Sequence, residues 1–145
     1  MSVSSILTSL KNSVGDVLGS DWSELNHVYN LEDNSFRTGD NRYGVGALSG
    51  DSVSGTNKAI TLDFGFFVVL TNSFVNRSSD ANEREALSVI YDQFDSINEN
   101  VFQKKLNNAN ILVVQDISYD EPLKVDRGVI SVRVNFTVKY RRQTT

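Results

Sequence analysis

The sequence predicts an α+β fold: a mixed or antiparallel sheet with both helices packed on one face. Three observations carry this. Two segments repeat apolar residues at three-four spacing, two long segments alternate with period two, and the strands cluster around two separated helices instead of alternating with them. The 145 residues read as a single domain, 1–145, since 39% apolar content with eight Phe and five Tyr suffices for a core without staples.

Val3, Ile6, Leu7, Leu10, Val14, Val17 and Leu18 fall on one helical stripe, with Gly19 as the stop, so the first helix is expected from Ser2 to about Leu18. Leu25, His27 and Tyr29 alternate with Asn26 and Val28 as a short strand. Between Asn30 and Asn57 lie five of the nine glycines, among many Asp, Asn and Ser residues. This reads as a long glycine-rich loop with a brief strand at Tyr43 to Leu48, and a loop of that length suits ordering on assembly. Ile60 to Thr71 then alternates with one wholly apolar face and a second face apolar at its centre, as in a strand covered on both sides.

Asn72 to Ser79 is turn-like, and Asp80 with Glu83 forms a capping box for the strongest helix, carried by Leu87, Ile90, Phe94, Ile97 and Val101. Asn98 and Asn100 are expected to interrupt it, leaving a short piece near Val101 to Leu106. Ile111 to Tyr119 comes next as a strand with Ile111, Val113, Ile117 and Tyr119 on one side, closed by Glu121-Pro122. After Arg127-Gly128, Val129 to Arg142 alternates without a break. At about 3.3 Å per residue it spans on the order of 40 Å, long enough for one end to project beyond the core.

The absence of cysteine excludes disulfide frameworks, thiolate metal sites and cysteine nucleophiles, and fits a reducing compartment. The first eighteen residues carry Lys11 and no uninterrupted apolar run, so a secretion signal or membrane span is not expected there, and the sequons at Asn76 and Asn135 read as chance matches. The formal charge of −4 disfavours broad phosphate-backbone binding. Its distribution is uneven: Asp80 to Glu99 holds six acids against Arg84 alone, and Lys124 to Arg142 holds six bases against Asp126 alone.

No catalytic motif emerges. Gly44 to Gly50 lacks the spacing, the lysine and the following helix of a phosphate loop. His27, the sole histidine, reads as a sheet residue with a satisfied hydrogen bond. Asp116, Asp120, Glu121 and Asp126 match no calcium loop, and the acids from Glu83 to Glu99 lie along the solvated face of a helix. No enzyme activity, cofactor or metal is therefore expected.

The helix Val3 to Leu18, the strand Ile60-Thr-Leu-Asp-Phe-Gly-Phe-Phe-Val-Val-Leu, the acidic helix beginning Glu83-Arg-Glu-Ala-Leu-Ser and the closing Ile130-Ser-Val-Arg-Val-Asn-Phe-Thr-Val-Lys-Tyr-Arg span nearly the whole chain. Together they resemble the tail terminator and tail-completion proteins of long-tailed bacteriophages. The resemblance implies a virion structural protein, assembled in the host cytoplasm into a homo-oligomeric ring, typically hexameric. Such a ring caps the tail tube and joins it to the head connector, with DNA passing through the lumen unbound. Other neck, connector or tube proteins, and a small ligand-binding domain or enzyme, remain as alternatives. The expected subunit or tube interface takes Arg42 and Tyr43 from the glycine-rich segment and Phe67 and Val69 from the second face of the long strand. It adds Glu83, Glu85 and Asp92 from the acidic helix and Arg133, Lys139 and Arg141 from the final strand. The acidic helix and basic strand are expected to pair between neighbours.

Overall fold

The structure, a computed structural model, describes residues 2–50, 61–74, 80–126 and 128–142. Helix α1 spans Val3–Leu18. Ser2 caps it: its hydroxyl accepts from the Ser5 N–H at 3.1 Å while the Ser5 hydroxyl accepts from the Ser2 N–H at 3.0 Å, which satisfies two donors that the first turn leaves unpaired. Gly19, at φ 81°, ends it.

A six-stranded sheet is built from β1 (Ser23–Glu24), β2 (Asn41–Gly50), β3 (Thr61–Ser73), β4 (Ile111–Tyr119), β5 (Leu123–Asp126) and β6 (Val129–Arg141). The order is β1-β2-β3-β6-β4, with β5 continuing the β4 edge along β6. Only β1 and β2 run parallel, so the sheet is mixed. The fold is α+β, as expected.

The final strand does not project. β6 pairs with β3 from Val129↔Ser73 to Arg141↔Thr61, and its other edge is occupied by β4 and β5. Its length is used inside the sheet. Two further expectations are corrected. Leu25 to Tyr29 is not a strand, and the strand signal near Tyr43 is a ten-residue strand, not a brief insert in a loop. The remainder of the glycine-rich segment beyond Gly50, most of the turn before α2 and the side chain of Asp80 in the expected capping box lie outside the described residues.

Helix α2 covers Asp80–Ile97 and runs into a π-helical turn at Asn98–Phe102, where the Gln103 N–H reaches the Asn98 carbonyl at 2.9 Å. The asparagines thus widen the helix instead of breaking it. Widening to an i→i+5 repeat brings Phe102 round beside Val101, so both are buried. Ile6, Leu10 and Val14 of α1 and Ala86, Ile90, Phe94 and Ile97 of α2 pack on the even-numbered side of β3 and β6, against Phe66, Val68, Leu70, Val132, Val134, Phe136 and Val138. Both helices occupy this helix face. Phe136 sits at its centre, its ring 6.3 Å from Phe66 and 4.5 Å from Phe102.

Strand β4 shows why a strict alternation misleads. One extra residue lies between Ile111 and Val113, and another between Gln115 and Ser118 where Asp116 takes φ 56°. Each bulge inverts the facing of the residues beyond it. Ile111, Val114 and Tyr119 therefore meet the core or α2, while Val113 and Ile117 are exposed.

Burial raises the phenol pKa of Tyr43, Tyr119 and Tyr140, with nearby Glu24 adding to the effect at Tyr43 and Asp95 at Tyr119. An acid whose folded pKa is raised contributes stability that is complete below the unfolded value, about 10, and is lost as pH climbs through the folded value. Unfolding free energy is therefore expected to decline above about pH 10 while these phenols resist ionisation, measurable by denaturant titration alongside phenolate absorbance. Phe136→Ala should cost about 3–5 kcal/mol in the same denaturation experiment, because the neighbouring rings cannot close the cavity.

Candidate functional site

The opposite face of the sheet carries the odd-numbered residues of β3 and β6, together with Arg42, Gly44 and Gly46 of β2. On this open face residues 25–36 cover one half. Leu25, Val28, Leu31 and Phe36 pack over Phe67 and Val69, which are 0% and 1% exposed. Glycine makes the fit possible: a Cβ on Gly44 would overlap Val28, and one on Gly46 would overlap the Phe67 ring.

Asn34 organises this covering segment. Its side-chain oxygen accepts from the Asn26 and His27 N–H groups, both at 3.0 Å, and its amide donates to the His27 carbonyl at 2.8 Å and the Leu31 carbonyl at 3.0 Å. All four backbone groups are satisfied by one side chain. Tyr29 is tied to the sheet edge. Its hydroxyl donates to the Ala47 carbonyl at 2.9 Å and accepts from the Ala47 N–H at 3.0 Å, and its ring stands edge-on to Phe67 at 5.5 Å. His27 is exposed in the same loop, not seated in a strand as expected.

Beside the covering segment lies a cleft of about 350 Å³. Val28, Leu31 and Val69 give it apolar walls, Tyr29 and Leu123 stand at its mouth, and Glu32, Asp120, Glu121 and Arg133 supply charge. Arg133 is already engaged: its Nε donates to Asp120 Oδ2 at 2.9 Å and its guanidinium lies 5.0 Å from the Phe67 ring centroid. Asn135 donates to the other Asp120 oxygen at 2.9 Å, so that carboxylate is bound at both atoms. A second, polar depression on the uncovered half is lined by Ser49, Asp63, Gln115, Asp116 and Thr137. There the Asp63 Oδ1 is buried and accepts no hydrogen bond among the described residues, although Lys139 is its cross-strand partner.

The ten expected interface residues do not form one surface. Phe67 and Val69 are covered by the chain's own loop and are unavailable to a neighbour. Arg42 points to the same face, 3.4 Å from Asp40 and 5.7 Å from the Phe36 ring, whereas Tyr43 faces α1, its hydroxyl close to Gly15. Glu83 pairs with Lys124 and Arg133 with Asp120, so both charge types expected to meet between neighbours have partners within the chain. Glu85 and Asp92 are exposed on α2, Lys139 is half-buried on the open face, and Arg141 is exposed at the end of β6. The helix lies across the sheet from the open face.

Asn34 and the cleft residues Glu32 and Leu123 carry no signal in the sequence pattern, while Tyr29 reads there as a strand residue and Glu121 as one of an acidic cluster. Gly44 and Gly46 held the available signal, since two glycines at period two strip one strand face of side chains and invite another segment to lie there. Among the described residues no group of three or more His, Asp or Glu side chains converges as for a metal, and no helix is long and apolar enough to cross a membrane. Asp116 and Asp120, grouped in sequence, are parted by the β4 bulge and Tyr119, and line separate depressions.

No family model matches the chain, and no curated protein matches it. Among solved structures, one whose name carries no functional word aligns with 100% of this chain and 99% of its own length at 13% identity, with a TM-score of 0.45. At that level it carries no argument about function.

Two substitutions test this geometry. Asn34→Ala should lower stability by about 1–3 kcal/mol through its orphaned backbone partners, read by chemical denaturation, with a smaller loss for Asn34→Asp, which keeps the acceptor. Tyr29→Phe should speed amide exchange of Ala47 by roughly tenfold, the equivalent of about one net hydrogen bond, as seen by NMR.

Proposed function

We propose that the chain is a structural subunit of a bacteriophage tail terminator, assembling as a ring that caps the tail tube and joins it to the head connector. The observation that carries this reading is the half-covered sheet: among the described residues, both helices occupy one face and residues 25–36 cover only part of the other. A small domain with an unfinished open face suits a neighbour of its own kind, and a repeated head-to-tail contact closes into a ring. The resemblance of four segments to terminator proteins supports the same role.

In that role one annular surface binds the last tube ring, and the other lacks the shape to accept another tube subunit. Growth stops there. A net-negative ring lets DNA pass with little adhesion, since like charges repel phosphate. A tube or connector protein is the nearest alternative and differs in stacking without limit or in binding the head alone. The cleft favours one second reading, a small-molecule-binding domain, because its volume lies within the range of ligand sites.

Light scattering and electron microscopy of the purified protein separate these. A single closed ring that does not stack is expected. Open filaments point to a tube subunit, and a monomer across the accessible concentration range overturns the ring.

A further inference from the structure

We infer that the cleft on the open face receives the basic end of the sheet from a second copy of this chain. The inference rests on the ring reading and names the surface that such a ring would use. The cleft presents two large apolar side chains, Tyr29 at 67% exposure and Leu123 at 57%, over walls of Val28 and Leu31. Its rim carries Glu32 and Glu121, neither in an ion pair among the described residues, while the Asp120 charge is taken by Arg133. Apolar walls under unpaired carboxylates fit Lys or Arg side chains, whose stems lie on apolar surface and whose heads reach acids or an aromatic ring.

The chain carries the complement at the far end of its own sheet. Lys104, Lys105, Arg141 and Arg142 are all exposed, and none is in an ion pair among the described residues. The backbone there is unusual: Lys105, Leu106 and Asn107 take φ 53°, 54° and 55° in succession, a left-handed turn that costs L-residues energy. Burial of Leu106 and a 3.2 Å bond from the Ser13 hydroxyl to its carbonyl hold the turn, which fixes how Lys104 and Lys105 project. The Arg141 N–H bonds the Asn110 carbonyl at 2.9 Å and joins this turn's exit to the end of β6. Strain maintained at a charged, exposed turn is a mark of a functional surface.

The two poles cannot meet within one molecule. The cleft lies beside Ser131 and Arg133, and the basic end beside Arg141 is about 26 Å further along β6 at about 3.3 Å per residue. Contact between them joins different patches of two copies, and repeated head to tail it is the heterologous geometry that forms a ring when its rotation closes.

Complementary charge reversal tests the pairing. Glu32→Lys with Glu121→Lys makes both poles positive, and Lys104→Glu, Lys105→Glu, Arg141→Glu and Arg142→Glu together make the cleft face an acidic pole. Each variant alone should assemble roughly tenfold more weakly by light scattering, with unchanged circular dichroism, and an equimolar mixture should restore closed rings of alternating copies. If the reversal at the cleft disturbs folding, Glu32→Gln with Glu121→Gln should show the same weakening to a smaller degree. Variants that assemble like the parent, or a mixture that fails to recover, overturn the inference and leave the ring reading standing. A parent chain that never assembles overturns both.

Discussion

The β3–β6 ladder sets the terms for everything else in the molecule. Thirteen residues of each strand are held in one register, so the period-two alternation of both is locked together. Even-numbered side chains form the core with α1 and α2, and odd-numbered ones form the open face. A slip of β6 by one residue would send Val134 and Phe136 to the open face and Arg133 and Asn135 under the helices, a change that no local adjustment repairs. The register therefore determines which charges can meet. Arg133 reaches Asp120 only because the ladder places it on the open face, opposite Val69.

On that face the covering segment depends on absent side chains as much as on present ones. Gly44 and Gly46 leave a trough into which Val28 and the Phe67 ring fit, and Asn34 then closes the loop above it. The glycines look like looseness in sequence and act as a fitted surface in the fold. The cover ends before the Asp63 and Lys139 pair, which divides the face into an apolar half covered by residues 25–36 and a polar half left open among the described residues.

Much of the secondary structure was legible because local pattern and tertiary role agree. Ser2 with a helical stripe gives α1, the Ile60 to Thr71 alternation gives β3, and the Val129 to Arg142 alternation gives β6, each within a residue or two at its ends. What escaped has physical reasons. The β4 facing depends on two bulges that only pairing with β6 reveals, and Leu25 to Tyr29 alternates like a strand yet is bent by Asn34 into a cover. The expected pairing of the acidic helix with the basic strand between copies rested on charge runs. Three-dimensional placement instead matched Glu83 to Lys124 and Arg133 to Asp120 inside one chain. Charges without an ion pair among the described residues, such as Glu32 and Lys105, give no sequence signal because they stand in no long run.

The edges of the sheet bear on how such a subunit can join others. An open edge strand invites pairing with another chain, and both edges here are blunted. On the β2 side, Leu25 N–H takes the Tyr43 carbonyl at 2.8 Å, β1 lies alongside, and the Tyr29 hydroxyl occupies both polar groups of Ala47. On the β4 side two bulges, one with Asp116 in a left-handed conformation, twist the strand and break the regular spacing of its outward groups. Continuous strand addition is thereby disfavoured on either side, which leaves faces and ends as the surfaces for association. Of these the helix face is filled by α1 and α2. Among the described residues this leaves the open face with its cleft and the basic end of β6, two patches of unlike shape and opposite charge that a head-to-tail contact between copies brings together.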